Sequence, residues 1–143
     1  MEKIPKEITL LSGSWLLLGG LFFLLAYSLI FLNLFLITEC LIILFIPCII
    51  FGLASVIISY KTKKGRKKTI IIGIDFSVIL ILLLSVPTVI FFFSFWQQPE
   101  QFFSLGILPF ILGFLSLIVC IIISIISSTK SITAFLDTKD NTK

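Results

Sequence analysis

Two long apolar tracts separated by one short basic segment dominate this sequence. The first tract covers residues 8–60 and the second covers residues 69–128. A helix that crosses the hydrocarbon core of a bilayer needs about 20 apolar residues, so each tract is long enough for two crossings. A soluble domain of this size leaves much of its chain facing water and could not hide such tracts. The sequence therefore predicts an integral membrane protein.

Polar residues within each tract predict where the chain turns back. Asn33, Thr38 and Glu39 interrupt the first tract, and the run Trp-Gln-Gln-Pro-Glu-Gln at 96–101 interrupts the second. Gln and Glu are costly in hydrocarbon, and Pro favours turns. The predicted fold class is all-α, with four transmembrane helices arranged as two helical hairpins. We expect a membrane domain over residues 1–128 with spans at 9–32, 40–60, 69–95 and 102–128.

The charges of this chain are distributed unevenly across the predicted layout. All 11 Lys and Arg residues fall before the first span, in the loop 61–68 or in the tail 129–143, whereas the two opposite loops carry only Glu39 and Glu100. Loops rich in Lys and Arg remain in the cytoplasm during insertion. We therefore expect both termini to be cytoplasmic, in the plasma membrane of the cell.

The loop 61–68 is first of all a topology signal, and its basic side chains are also candidate contacts to anionic lipid headgroups. These residues are Lys61, Lys63, Lys64, Arg66, Lys67 and Lys68. A loop of this length between two spans does not reach along a nucleic acid, so we expect no nucleic-acid partner. The tail is polar apart from Ile132, Phe135 and Leu136, whose spacing predicts one short turn on the membrane surface.

Small residues recur at helical spacing on the second and fourth predicted helices. They form two stripes whose main members are Gly52, Ser55, Ser59, Gly113, Ser116, Cys120 and Ser124. Because helices in lipid associate through close backbone approach, such stripes mark contact faces, either inside this chain or with a partner subunit. Gly13, Gly19 and Gly20 on the first helix are expected to serve the same packing role.

Asp75 is the one acidic residue placed clearly inside a predicted span. It lies six residues after Thr69, or about 9 Å along the helix axis from the basic end. Charges inside a membrane are costly, so an intramembrane acid is a candidate functional residue. Three interpretations are open: a structural carboxylate reached from the interface by Lys68, an ion- or proton-coupling group, and a polar contact to another protein.

Three prolines, Pro47, Pro87 and Pro109, fall at similar depths in the predicted helices. A proline inside a helix leaves a backbone carbonyl without its donor and bends the axis. Three bends at one level could open a vestibule lined by free carbonyls, with Glu39 and Glu100 near its mouth. Prolines are also well tolerated in membrane helices, so their presence alone does not require a vestibule.

The second and fourth predicted helices also share a short pattern that raises the hypothesis of an internal repeat. In each helix the order is Pro, three or four residues, Gly, two residues, Ser. The matching positions are Pro47, Gly52 and Ser55, followed by Pro109, Gly113 and Ser116. Chance matches are common in a sequence this rich in Ile, Leu and Phe. The first and third predicted helices show no comparable agreement.

Reactive groups are scarce in this chain. There is no histidine, and the three cysteines (Cys40, Cys48 and Cys120) fall at different depths of the predicted helices. A disulfide needs closely spaced Cα atoms, and metal hydrolysis needs clustered ligands. We therefore expect no catalytic residues, no metal site, no cofactor and no enzymatic activity.

Three non-enzymatic functions fit these features. The first is a small accessory or scaffold subunit that packs against other membrane helices, and the packing stripes favour it. The second is a small homo-oligomeric channel or transporter, and its only support is Asp75 and the similar depth of the three prolines. The third is a holin-like or immunity-like membrane factor, which has only size and basic charge in its favour. Many unrelated families share a four-span layout, so the layout itself does not choose among these.

Overall fold

A computed structural model describes residues 6–36, 40–97 and 107–137, and the regular secondary structure of these residues is helical throughout. Four helices are long and apolar enough to cross a membrane, which confirms the prediction of an all-helical chain with four membrane-length spans. They are α1 (Lys6–Leu36), α2 (Cys40–Lys63), α3 (Lys67–Gln97) and α4 (Ile107–Ser127). A short fifth helix, α5 (Lys130–Asp137), follows α4.

The helices extend beyond several of the predicted span limits. Helix α1 begins at Lys6 and continues through Asn33, and it contains 31 residues. At 1.5 Å per residue such a helix is about 45 Å long, which exceeds the hydrocarbon thickness of about 30 Å. Asn33, which was expected to help end this span, therefore lies within the helix, whereas Thr38 and Glu39 lie outside the described residues.

Helix α1 lies between α2 and α4, and α3 packs mainly on α4. The contact between α2 and α3 is much smaller than the other contacts between neighbouring spans. We call the end of the bundle that carries the connection between α2 and α3 the basic end, and the opposite end the far end. The helix bundle is therefore least tightly packed between α2 and α3.

Aromatic side chains join three helices in the interior. The ring centroids of Trp15 and Phe76 lie 6.0 Å apart, those of Phe76 and Phe51 5.9 Å apart, and those of Phe51 and Phe22 5.8 Å apart. Trp15 and Phe22 are almost completely buried. Offset and tilted aromatic pairs at these distances are favourable. This aromatic cluster fills the bundle interior from its middle towards the basic end.

Glycines allow α1 and α2 to approach closely. A Cβ atom added to Gly19 would lie 2.9 Å from Val56 Cγ2 and 3.2 Å from the carbonyl oxygen of Gly52. A Cβ atom added to Gly52 would lie 3.3 Å from the ring of Phe23. Small residues at the crossing of two helices let the backbones touch, which is how helices pack in lipid.

Two serine contacts hold equivalent places in the two halves of the chain. Ser12 meets Ser59 between α1 and α2 with the hydroxyl oxygens 3.2 Å apart, and Ser77 meets Ser124 between α3 and α4 at the same 3.2 Å. Both pairs are separated by 47 residues, and the second pair follows the first by 65 positions. The sequence pattern places matching residues 61 or 62 positions apart, as in Pro47 and Pro109. The serine contacts therefore differ from that alignment by three or four residues, about one helical turn.

The connection between α2 and α3 is a tight turn. The amide of Gly65 donates to the carbonyl of Thr62 at 2.8 Å, and the amide of Arg66 donates to the carbonyl of Lys61 at 3.4 Å. This is the Schellman pattern, and it requires a left-handed residue, here Gly65 with φ of 69°. Only residues 64–66 lie outside the helices, so the turn is shorter than the predicted loop 61–68.

The start of the tail folds onto the bundle. Helix α5 contacts α1 and α4, and the side chain of Ile132 is 0% exposed. The ammonium of Lys67 lies 5.4 Å from the ring centroid of Phe135. The predicted turn on the membrane surface is thus an eight-residue helix that turns Ile132 against the protein, where this side chain is fully removed from solvent.

Candidate functional site

Asp75 lies on the outer face of α3, and its side chain is exposed. The residues around it on the same helical face are also exposed and are all apolar: Ile71, Ile72, Val78, Ile79 and Leu82. Among the four candidate spans, α3 has the smallest share of its residues buried within the protein. The face centred on these residues, which we call the Asp75 face, therefore points away from the bundle.

The Asp75 carboxylate has an exposed basic neighbour along the helix. Lys68 lies two helical turns earlier, about 10 Å along the axis. Within the described ranges, Asp75 makes no side-chain hydrogen bond or ion pair, with Lys68 or with any other residue. A carboxylate accepts hydrogen bonds only. The Asp75 face can thus accept bonds from a cationic or polar donor that approaches from outside the bundle.

The small-residue stripe on α2 faces the interior. Gly52, Ser55 and Ser59 are all buried. The hydroxyl of Ser55 donates to the carbonyl of Phe51 at 2.8 Å, within its own helix. The hydroxyl of Ser59 donates to the carbonyl of Ser12 at 2.8 Å. This stripe is occupied by contacts between α1 and α2.

The stripe on α4 divides into two parts. Ser116 and Cys120 are buried, and Ser124 is half-buried against Ser77. The hydroxyl of Ser116 donates to the carbonyl of Leu112 at 2.8 Å. Gly113 differs, because a Cβ atom added there would meet no atom within 4 Å. The stripe packs inside the bundle from Ser116 onward and borders open space at Gly113.

The glycines of α1 do not share one role. Gly19 is held against α2, whereas Gly13 and Gly20 are exposed and a Cβ atom added to either would meet nothing within 4 Å. Inside this chain, therefore, Gly19 serves close packing and Gly13 and Gly20 do not. Adjacent positions on a helix point about 100° apart, so only one of Gly19 and Gly20 can face α2.

The open space beside Gly113 is a cavity of about 360 Å³ in the far half of the bundle. All four spans contribute to its walls. It is lined by Phe22, Leu25, Leu29, Pro47, Cys48, Phe51, Leu80, Leu83, Leu84, Thr88, Pro109, Phe110 and Gly113. Two of the three aligned prolines are among these residues, and Thr88 follows the third in sequence. A cavity does lie at the proline level.

The lining of this cavity differs from the vestibule hypothesis. Its surface is almost entirely apolar rather than lined by free carbonyls. Thr88 brings a hydroxyl, and that hydroxyl donates to the carbonyl of Leu84 at 2.7 Å. Glu39 and Glu100, which were expected near the mouth, lie outside the described residues. The prolines indicated the level of the cavity, but its apolar walls come from large side chains that carry no distinguishing pattern.

The basic side chains gather at the connection between α2 and α3. Five of them are exposed and Lys67 is half-buried. The ammonium of Lys64 lies 4.3 Å from the ring centroid of Tyr60, a distance at which a cation is attracted to an aromatic ring. The basic end therefore presents a concentrated positive surface beside an aromatic side chain.

The described residues contain no group of three or more His, Cys, Asp or Glu side chains that could hold a metal ion. Cys48 and Cys120 are buried free thiols. Cys48 lines the cavity, whereas Cys120 lies beyond the Ser116 level of α4, towards the basic end. No protein-family model, curated protein or solved structure matches the chain.

Proposed function

We propose that this protein is a non-catalytic accessory or scaffold subunit of a larger membrane complex and that it docks onto its partner through the Asp75 face. The observation that supports this proposal most is the exposure of a carboxylate inside a membrane span. The neighbouring side chains, such as Ile72 and Ile79, add apolar contact area on both sides of it.

The energetics favour a partner over bare lipid at this position. A charged residue at the centre of a membrane helix costs about 2.5–3.5 kcal/mol on insertion scales, and the cost falls towards the interface. A Lys, Arg or polar side chain on a neighbouring helix would remove part of that cost by donating to Asp75. The partner therefore carries a basic or hydrogen-bonding group at the level of Asp75, about 12 Å along the axis from the start of α3 at Lys67.

The same proposal includes an orientation and a lipid contact. Both termini and the turn at 64–66 lie in the cytoplasm, at the inner face of the plasma membrane, because the basic residues are concentrated on that side. Basic side chains near an anionic surface contribute about 1 kcal/mol each. Anionic headgroups then hold the basic end at a fixed depth, which sets the depth of Asp75.

Co-purification from native membranes tests the proposal. The tagged protein is extracted in mild detergent as wild type and as Asp75→Leu and Ile79→Trp, and the stoichiometry of bound proteins is measured by mass spectrometry. Asp137→Asn is the charge control outside the spans. Ile57→Trp is the steric control on α2, because Ile57 and Ile79 have nearly the same exposure, 53% and 52%.

We expect wild type and both controls to retain one stoichiometric membrane partner and the two variants of the Asp75 face to lose it. A wild-type protein that is extracted only as a monomer would overturn the proposal. A clean homo-oligomer would also overturn it and would favour a small channel. Equal loss in Ile57→Trp and Ile79→Trp would show that the Asp75 face is not the docking surface.

A further inference from the structure

The geometry points to a binding site for one hydrocarbon chain in the cavity between the four spans. This cavity lies inside the bundle, apart from the Asp75 face, and the inference does not depend on the proposed docking function. The chain belongs to a membrane lipid or to a free fatty acid, which share the same chemistry at this site.

The size of the cavity fits a ligand rather than a packing defect. Its volume of about 360 Å³ falls within the range of about 300–1,000 Å³ that ligand pockets occupy. Empty cavities of about 150 Å³ lined by Leu, Ile and Phe stay dry and bind small apolar molecules. This cavity is more than twice that size and has similar walls, so its occupant is apolar and larger than one aromatic ring.

The chemistry of the walls favours an apolar ligand. Leu25, Leu29, Leu80 and Phe110 contribute hydrocarbon surface only. The hydroxyl of Thr88 already donates its proton to the carbonyl of Leu84, so it has no donor left for a ligand. Water in such a space would lack the two to four polar partners that it needs. Recognition at this site is therefore by hydrocarbon alone, and any headgroup remains outside.

The cavity also has a route to the surrounding lipid. It is partly open, and Leu83 both lines it and is 50% exposed. Leu83 belongs to α3, which makes only a small contact with α2. A chain from the bilayer can thus enter beside α3 without crossing a polar barrier.

The aromatic cluster sets the inner limit of the site. Phe22 and Phe51 belong to both the cavity wall and the cluster, and their ring centroids lie 5.8 Å apart. Below them, Phe76 and Trp15 fill the interior towards the basic end. A bound chain therefore ends on the rings of Phe22 and Phe51.

Photolabelling tests this inference. The full-length protein is reconstituted in vesicles of phosphatidylethanolamine and phosphatidylglycerol with one of two probes. One probe is a palmitic-acid analogue with a mid-chain diazirine, and the other is a phosphatidylcholine that carries the same chain. Cross-linked residues are mapped by mass spectrometry. We expect labels on the cavity walls at Phe51, Leu84 or Phe110, and the probe that gives them identifies the source of the chain.

Two glycines provide a matched pair of variants. Gly113 borders the cavity and Gly20 is exposed on α1, and a Cβ atom added to either meets nothing within 4 Å. Gly113→Leu fills the cavity, so labelling of its walls should fall by about tenfold, which corresponds to about 1.4 kcal/mol of binding free energy. Gly20→Leu should leave labelling unchanged.

Cys48→Leu fills the same space from α2, so the test does not depend on the folding of one variant. Saturable wall labelling that both filling variants reduce supports the inference. Two outcomes would overturn the inference, because each would report only the lipid that surrounds any membrane protein. One is labelling confined to outward side chains, and the other is wall labelling of equal intensity in Gly113→Leu and Gly20→Leu.

Discussion

Ser12 and Ser59 exchange hydrogen bonds across the contact between α1 and α2. The hydroxyl of Ser12 donates to the carbonyl of Ser59 at 3.0 Å, and the hydroxyl of Ser59 donates to the carbonyl of Ser12 at 2.8 Å. Both side chains are buried. The bonds lie near the basic end. Ser12 is two turns from Gly19 on α1, and Ser59 is about one turn from Val56, which Gly19 approaches, on α2. Hydrogen bonding and close backbone contact therefore stabilise the same interface.

This reciprocal pair predicts a measurable coupling. Hydrogen bonds between membrane helices contribute about 0.6 kcal/mol on average in double-mutant cycles. We expect Ser12→Ala and Ser59→Ala each to lower the free energy of unfolding by about 0.5–1.5 kcal/mol, with the double variant losing less than the sum. Unfolding in mixed micelles measures these values. Ser14→Ala is the control, because that hydroxyl donates within its own helix to Leu10; strict additivity would contradict the coupling.

Adjacent glycines on α1 predict opposite responses to the same substitution. Gly19→Leu forces atoms against Val56 and the backbone of Gly52, and overpacking of this kind costs about 1–3 kcal/mol. Gly20→Leu adds a side chain to an exposed face and should be neutral or stabilising, since Gly is a poor helix former. Thermal unfolding in detergent distinguishes them. Equal melting temperatures for the two variants would contradict the close approach.

These glycines also show how far the sequence could predict the structure. Span number followed from tract length, because about 20 apolar residues per crossing is a geometric requirement. The small-residue stripes did mark buried faces on α2 and α4. The identity of the neighbouring helices did not follow, because a stripe does not say which helix packs on it. A glycine in contact with a helix, such as Gly19, and one beside a void, such as Gly113, look identical in sequence.

The candidate sites were predictable to a similar extent. Asp75 stood out as a charge in an apolar tract, but its outward direction depends on which face of α3 packs on α4. The proline level indicated where the helices separate, yet the apolar walls of the cavity come from leucines and phenylalanines that resemble all the others. The only sequence signal for the hydrogen bonds between Ser12 and Ser59 is that these two serines fall at the same depth when α1 and α2 run antiparallel.

Helix α5 predicts a protected tail. Ile132 is fully buried where α5 contacts α1 and α4, and replacing a buried Ile by Ala costs about 2–5 kcal/mol. We expect Ile132→Ala to release α5, so that limited trypsin cleaves at Lys130 faster than in wild type. Thr133→Ala is the control, because Thr133 is exposed on the same helix. Unchanged cleavage in Ile132→Ala would show that α5 is held by other contacts.

The distribution of basic residues predicts the outcome of reporter fusions. Green fluorescent protein at the C-terminus should fluoresce and alkaline phosphatase at the same position should be inactive, because the positive-inside rule places this end in the cytoplasm. Replacing the six basic residues of 61–68 by Gln should produce mixed topologies. An active phosphatase fusion in the wild-type chain would reverse the proposed orientation.

The central place of α1 has a consequence for synthesis of the chain. Its two main neighbours are α2, which follows directly, and α4, which emerges only after residues 37–106 have been made. At about 5–20 residues per second, the face of α1 that meets α4 remains without its native neighbour for several seconds. A chaperone or insertase that shields this face during that interval would govern the yield of folded protein.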